Sequence, residues 1–151
     1  MTTLVGTQEE FKDALYELCE LDYDAIEAYE AAINRLNNPF CKEELINLKK
    51  DHERHVKKIT QILQGRHESF PTGPSVKKLL TQGKVVLGNI LGDEAILKAM
   101  ISNEVDTNTA YQKITSHDGI WEEAVLTLHE GLEDEKRHKT LIENLIRRLD
   151  E

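Results

Sequence analysis

The sequence is poor in the residues that staple, bend or span. Its 151 residues include two cysteines, Cys19 and Cys41, far apart and in no Cys-x-x-Cys pair. That argues against a disulfide framework, a zinc ribbon and a rubredoxin-type iron centre, and the expected compartment is a reducing cytoplasm. Only three prolines occur, Pro39, Pro71 and Pro74, so long stretches run without a helix breaker. Basic residues number 19 against 28 acidic ones, a net charge of −9. A nucleic-acid binder needs the opposite balance to displace counterions from phosphates. No apolar run approaches the ~20 residues of a membrane span. Met1–Gly6 has neither the basic nor the apolar stretch of a secretory signal. What remains is 39% hydrophobic and 31% charged, enough for a thin core in one domain over residues 1–151.

Between the prolines the chain is rich in Glu, Lys, Leu and Ala, which favour helix, and no stretch alternates like a strand. Four helices are predicted. The first starts near Thr7, where Thr7-Gln8-Glu9-Glu10 fits a capping box, and runs to about Leu36, before Asn37-Asn38-Pro39. The second runs from about Phe40 to Gln64, with Gly65 as its C-terminal stop. The third follows Gly92 with Asp93 as N-cap and fades near Thr115. After the turn His117-Asp118-Gly119, the fourth runs from about Ile120 to Leu149. In the link from Gly65 to Gly92, a loop over Glu68–Pro74 precedes Val76, Leu79, Leu80, Val86, Leu87, Ile90 and Leu91. Their helical spacing predicts a short extra helix with Ser75 as its cap. Two short links and one long one make two antiparallel hairpins joined by a crossover. The expected fold is an all-α, antiparallel four-helix bundle.

Read as heptads, each helix has an inward seam, and each seam is interrupted by titratable residues. The first reads Leu15, Leu18, Asp22, Ile26, Tyr29, Ile33 and Leu36. The second reads Leu45, Leu48, His52, His55, Ile59 and Ile62. The third reads Leu97, Met100, Glu104, Asn108, Tyr111 and Ile114. The fourth reads Trp121, Leu128, Leu132, Glu135, His138, Ile142, Leu145 and Leu149. The midpoint between Asp22 and His52/His55 falls near residue 38, and that between Glu104 and Glu135/His138 near residue 120, so each hairpin folds its polar residues to one level. Burying such groups costs several kcal/mol each unless they are paired, and a shared cation offsets that cost for all six. Side chains at i and i+3 face the same way, so His52/His55 and Glu135/His138 can each grip metal from one helix. Mixed imidazole and carboxylate donors suit iron or manganese, with zinc as an alternative. An internal repeat points the same way. Asp51-His52-Glu53-Arg54-His55 parallels Asp134-Glu135-Lys136-Arg137-His138, and Asp22 precedes Tyr29 by the same interval as Glu104 precedes Tyr111.

Glu135-x-x-His138 and Glu104 with Tyr111 two turns later resemble the ferritin-like superfamily, nearest to its rubrerythrin-type di-iron four-helix bundles, and the wider pattern of Leu21-Asp22-Tyr23-Asp24-Ala25 with the Asp51–His55 block resembles a bacterial ferritin-like group. The resemblance covers essentially the whole chain. It implies two iron ions held by two single carboxylates and two Glu-x-x-His motifs, in proteins that reduce peroxide, activate oxygen, or oxidise and store iron. Carried over residue by residue, the ligands are Asp22, His52, His55, Glu104, Glu135 and His138. The sequence departs from the pattern twice: Asp22 stands where Glu is usual, and His52 where the first Glu of Glu-x-x-His belongs.

The expected function is thus a metal-binding, di-iron oxidoreductase acting on oxygen or peroxide, with an unknown electron donor and as a homodimer. The alternative is a helical stress or interaction protein whose polar cluster is structural or holds a redox-inert metal. Tyr29 and Tyr111 are expected to orient ligands through their hydroxyls, and Asp22 has a rival role as a hydrogen-bond partner of Tyr111 or a histidine. No role is assigned to His67, His117 or His129. The run Glu133–Arg137 reads as a solvated face except for Glu135, and Trp121 as a plug at the bundle end.

Overall fold

Pro39 sets the first corner. At the first turn of a helix its missing N–H costs nothing, and the Asn38 carboxamide oxygen accepts from the amides of Phe40 (2.9 Å) and Cys41 (3.2 Å). The computed structural model describes residues 3–75 and 92–151. Its helices are α1 (Phe11–Arg35), α2 (Pro39–Gly65), α3 (Asp93–Thr115) and α4 (Glu122–Leu149). Among the described residues there is no strand, and no helix is long and apolar enough to cross a membrane. The short helix expected within 76–91 lies outside the described residues.

Three boundaries differ from expectation. First, α1 begins at Phe11 rather than near Thr7. The Thr7 hydroxyl donates to the Leu4 carbonyl instead of capping the helix, because the preceding segment forms a turn laid on α3. Gly6 has φ +97°, and a Cβ there would stand 2.9 Å from the Ile114 amide nitrogen, so only glycine fits. Second, Gly65 is the last helical residue of α2, not its left-handed stop. That conformation falls to His67 (φ 58°). His67 N–H bonds Gln64 O (3.0 Å) and Glu68 N–H bonds Leu63 O (2.9 Å), the paired closing bonds of a Schellman motif. Third, Gly92 rather than Asp93 is the N-cap of α3. The Asp93 carboxylate instead reaches across to accept the amides of Asn37 (2.8 Å) and Asn38 (2.9 Å).

α1 packs on α2 and α3, and α4 packs on α3 and α2. The four make a four-helix bundle with α1/α4 and α2/α3 on its diagonals. Neighbours run antiparallel. Phe40 at the start of α2 lies under Arg148 near the end of α4, while Arg66, just past α2, pairs with Glu123 in the first turn of α4. Consequently α2 ends and α3 begins at opposite ends of the bundle. Trp121 packs edge-on against Phe11 (5.0 Å) under the Arg66 guanidinium (4.3 Å), closing one end as expected.

The apolar core is in two parts. One cluster gathers Phe11, Leu15, Leu18, Ile59, Leu63, Tyr111, Ile114 and Leu128, and the other Tyr29, Leu36, Leu45, Leu48, Leu97, Met100, Ile142 and Leu145. Between them lie the buried polar residues Asp22, His52, His55, Glu104, Thr107, Glu135 and His138. The seam itself drifts from a strict heptad. Ile26, Ile33, Ile62 and Leu132 are only partly buried, and Ala25, Ala28, Ala32, Leu63 and Gly131 take the inward places. A straight helix repeats at 3.6 rather than 3.5 residues, and small residues on the inward face let neighbouring helices approach closely.

Candidate metal centre

All six sequence-predicted residues meet in this polar layer. Asp22, on α1, is 1% exposed; His52 and His55 on α2, Glu104 on α3, and Glu135 and His138 on α4 range from 0% to 4%. Asp22 Oδ1 lies 2.8 Å from His52 Nδ1 and 3.3 Å from His55 Nδ1. Glu135 Oε1 lies 3.5 Å from each of the same two nitrogens. On the other side of His52, Nε2 is 3.6 Å from Glu104 Oε1, which is 3.7 Å from His138 Nδ1. Glu135 Oε2 is 3.6 Å from that same His138 nitrogen.

These atoms form two donor sets, Asp22/His52/His55/Glu135 and His52/Glu104/Glu135/His138, in each of which the donors lie within 4.8 Å of one another and can hold a metal ion. The spacing is right for coordination. A tetrahedral ion with bonds of ~2.1 Å sets its ligands roughly 3.4 Å apart. The hydrogen-bond count leaves atoms over that a cation could satisfy. His52 Nε2, His138 Nδ1 and Glu135 Oε1 are buried and have no hydrogen-bond partner. Each such atom costs about 1–3 kcal/mol when left unsatisfied, and all three belong to the candidate ligands.

The surrounding residues aim these donors. Tyr111 O–H donates to Asp22 Oδ2 (2.6 Å), and Tyr29 O–H donates to Glu104 Oε1, the orienting role expected of both tyrosines. Asp22 therefore also makes the rival contacts foreseen for it. The outer nitrogens of two histidines are fixed by carboxylates from the facing helix: His55 Nε2 by Asp134 and His138 Nε2 by Asp51, each at 2.8 Å. An ionised carboxylate only accepts, so the proton sits on Nε2, and each Nδ1 is left to face inward with its lone pair once the ring is neutral. Arg54 bonds both Asp51 (3.0 Å) and Asp134, and Arg137 bonds both as well (2.6 and 3.2 Å). The four charges close a ring on the α2–α4 face.

Sequence reading missed this ring. Asp134 and Arg137 passed for solvated charges, although the Asp-x-x-Arg-His repeat at 51–55 and 134–138 was the signal. It also missed Thr107, whose hydroxyl lies between Glu104 Oε2 (3.3 Å) and Glu135 Oε2 (2.8 Å). Asn108, placed on the seam, instead ties backbone to backbone, donating to the carbonyls of Glu104 (2.8 Å) and Glu135 (3.0 Å). Gly131 is the least legible. A Cβ on it would lie 2.4 Å from Tyr111 Cε1, so this mid-helix glycine, worth about 1 kcal/mol less than alanine in propensity, is the space that Tyr111 occupies. His117, given no role, pins the α3–α4 turn through Nε2 to Gln8 O (2.6 Å) and Nδ1 to the Gly119 amide (2.9 Å).

Burial and the mixed charges of the cluster set where its protons sit. Burial favours the neutral acid at Asp22, but hydrogen bonds from His52 and His55 outweigh it and hold the carboxyl near 2. Glu104 is likewise pushed down, with His138 and His52 outweighing burial. Burial, with Glu104 nearby, lifts Glu135 to about 7. Burial works against charge on His138 too, yet Glu104 and Glu135 raise it to about 9, and the carboxylates around His52 raise it as well. Asp22 and Glu104 are thus held ionised, His52 and His138 are held protonated, and Glu135 is pushed toward its neutral acid, so a cation entering the cluster would displace protons.

Among solved structures, the chain is similar to a conserved hypothetical protein from Mycobacterium tuberculosis. The TM-score is 0.73 at 15% identity, over 89% of this chain and 96% of that one. That likeness concerns the fold. No curated protein matches the sequence. A match to a described family does extend over residues 10–117, from the start of α1 to just past α3. It includes Asp22, His52, His55 and Glu104 and ends before Glu135 and His138. On that match the chain belongs to the family described as Domain of unknown function (DUF2383).

Proposed function

We propose that the protein is a ferritin-like metal-binding bundle that holds two metal ions, iron foremost, at this centre and reacts with oxygen or peroxide. The observation that carries the reading is the set of buried, unpartnered atoms, His52 Nε2, His138 Nδ1 and Glu135 Oε1, aimed into two donor sets that span all four helices. Asp22 and His55 would hold one ion, Glu104 and His138 the other, with His52 and Glu135 between them. Iron bound there would supply the two electrons that, with two protons, reduce one hydrogen peroxide to two waters. Tyr29 and Tyr111 hold the carboxylates, Asp51 and Asp134 hold the outer faces of His138 and His55, and the apolar clusters on either side keep water from the layer.

Protein expressed in iron-rich medium is expected to carry iron on elemental analysis and to develop oxo-bridged ferric absorption after air exposure. Metal-free protein whose melting temperature ignores added ferrous, manganous and zinc salts would sink the proposal. One observation favours a second reading, in which the metal is redox-inert. Three imidazoles against three carboxylates is a nitrogen-rich set for ferric iron, which prefers anionic oxygen. Stable zinc occupancy without reaction toward peroxide would select it.

A further inference from the structure

His52 stands at the centre of the layer and shows a different nitrogen to each donor set. Nδ1 faces Asp22 Oδ1 at 2.8 Å and Glu135 Oε1 at 3.5 Å, while Nε2 faces Glu104 Oε1 at 3.6 Å. Glu135 is divided in the same way, Oε1 toward His52 and His55, Oε2 toward His138. A carboxylate carries both donors on one carbon and can draw two ions close. An imidazole that has given up both ring protons to solvent, as imidazolate, carries a lone pair on each side of a rigid ring and holds two ions apart. Resting on the two-metal reading above, we infer that His52 is a bridging ligand, with Nδ1 on the ion held by Asp22 and His55 and Nε2 on the ion held by Glu104 and His138.

The rival arrangement is a single ion. Asp22 would then merely accept a proton from His52 Nδ1, and only the set with Glu104, Glu135 and His138 would bind. His55 argues against it. Its ring is clamped by Asp134 at 2.8 Å as the His138 ring is clamped by Asp51 at 2.8 Å, and each Nδ1 points inward at a Glu135 oxygen. A histidine positioned so closely like a ligand serves a second ion. A bridge through an imidazole also places the ions farther apart than the ~3.5–4 Å usual for two-metal sites.

Zinc tests this without redox chemistry. Apo protein with 15N-labelled histidine is loaded with zinc sulfate, and metal content, imidazole nitrogen shifts and the zinc–zinc vector in X-ray absorption are measured. Two zinc ions per chain are expected, with both His52 nitrogens shifted to metal-bound values, no His52 ring N–H, and a separation beyond ~4 Å. His52→Glu is expected to keep two ions and shorten the vector to ~3.5–4 Å; the wild-type measurement decides the question even if that variant does not fold. One zinc per chain, a surviving His52 N–H, or two ions already at the short distance in the wild type overturns the bridge and leaves metal binding standing. No zinc and no iron bound at all overturns the metal reading itself.

Discussion

The hairpin α1–α2 and the hairpin α3–α4 carry matching parts, and they differ where the chemistry is decided. Asp22 answers to Glu104, Tyr29 to Tyr111, His55 to His138, Asp51 to Asp134 and Arg54 to Arg137, while His52 and Glu135 hold the corresponding place in the two repeats. The first hairpin's set is drawn tight. Asp22 sits 2.8 and 3.3 Å from its two histidines. Around Glu104 the gaps are 3.6 and 3.7 Å, and two of the three unpartnered atoms, His52 Nε2 and His138 Nδ1, lie there. The short carboxylate finds its partners within the protein, and the longer one leaves donors over. The Glu104 side is therefore the one that gains more from a cation.

The largest expected effects break the centre outright. Glu135→Ala removes a donor from both sets and should lower metal affinity on the order of 100-fold or more, beyond what loss of an outer orienting group costs. Asp22→Ala should spare the Glu104 side, leaving about half the metal. Elemental analysis after dialysis checks both, and full occupancy in Glu135→Ala would show that α4 is misassigned. Next come the orienting carboxylates. Asp51→Asn and Asp134→Asn should each weaken metal binding by roughly 10–100-fold. Isothermal titration should place the Asp51→Asn loss on the tighter step, since His138 belongs to the Glu104 side; equal losses on both steps would erase the distinction between the halves.

Acidity sharpens the same comparison. His138 holds its proton to about 9, so an ion must displace that proton below this pH, and affinity should climb as pH rises toward 9 and then flatten. The sign for the metal-free fold is opposite. A raised histidine adds stability that is full below its ordinary 6.5 and lost as pH rises through about 9. Glu135, raised to about 7, adds a penalty that grows as pH rises from 4.5 through 7. Asp22 contributes stability that is present above 3.8 and lost as pH falls toward 2. Urea unfolding of apo protein should thus weaken from pH 6.5 to 9 while metal affinity grows. Parallel trends would contradict the proton-for-cation exchange.

Two smaller effects separate packing from ligation. Gly131→Ala should destabilise by about 1–3 kcal/mol through the clash with Tyr111, although alanine favours helix; stabilisation on urea unfolding would mean the tyrosine has other room. His67→Gly, at the left-handed exit of α2, should add about 0.5–1 kcal/mol and leave metal content unchanged.

The sequence makes the level of the site legible because hairpin geometry is arithmetic. Once Asn37–Pro39 and Asp118–Gly119 are taken as corners, Asp22 must meet His52 and His55, and Glu104 must meet Glu135 and His138. Periodicity also places both tyrosines. It cannot show which helices become neighbours, and for that reason the Asp51–His138 and Asp134–His55 pairs across α2 and α4 were hidden among surface charges. Local rules misled where tertiary partners outbid them. Thr7 looked like a cap until Gly6 turned the chain onto α3, and Asp93 looked like one until its carboxylate found the amides of Asn37 and Asn38.

The exchange of hydroxyls between hairpins has a kinetic consequence. Tyr29 of one half steadies Glu104 of the other, and Tyr111 returns the favour to Asp22, so a lone hairpin owns carboxylates whose supports are elsewhere. On the proposed metal reading, high-affinity capture would follow the docking of the two halves. The speed at which refolding protein takes up zinc is then a clock for the last packing event of the fold.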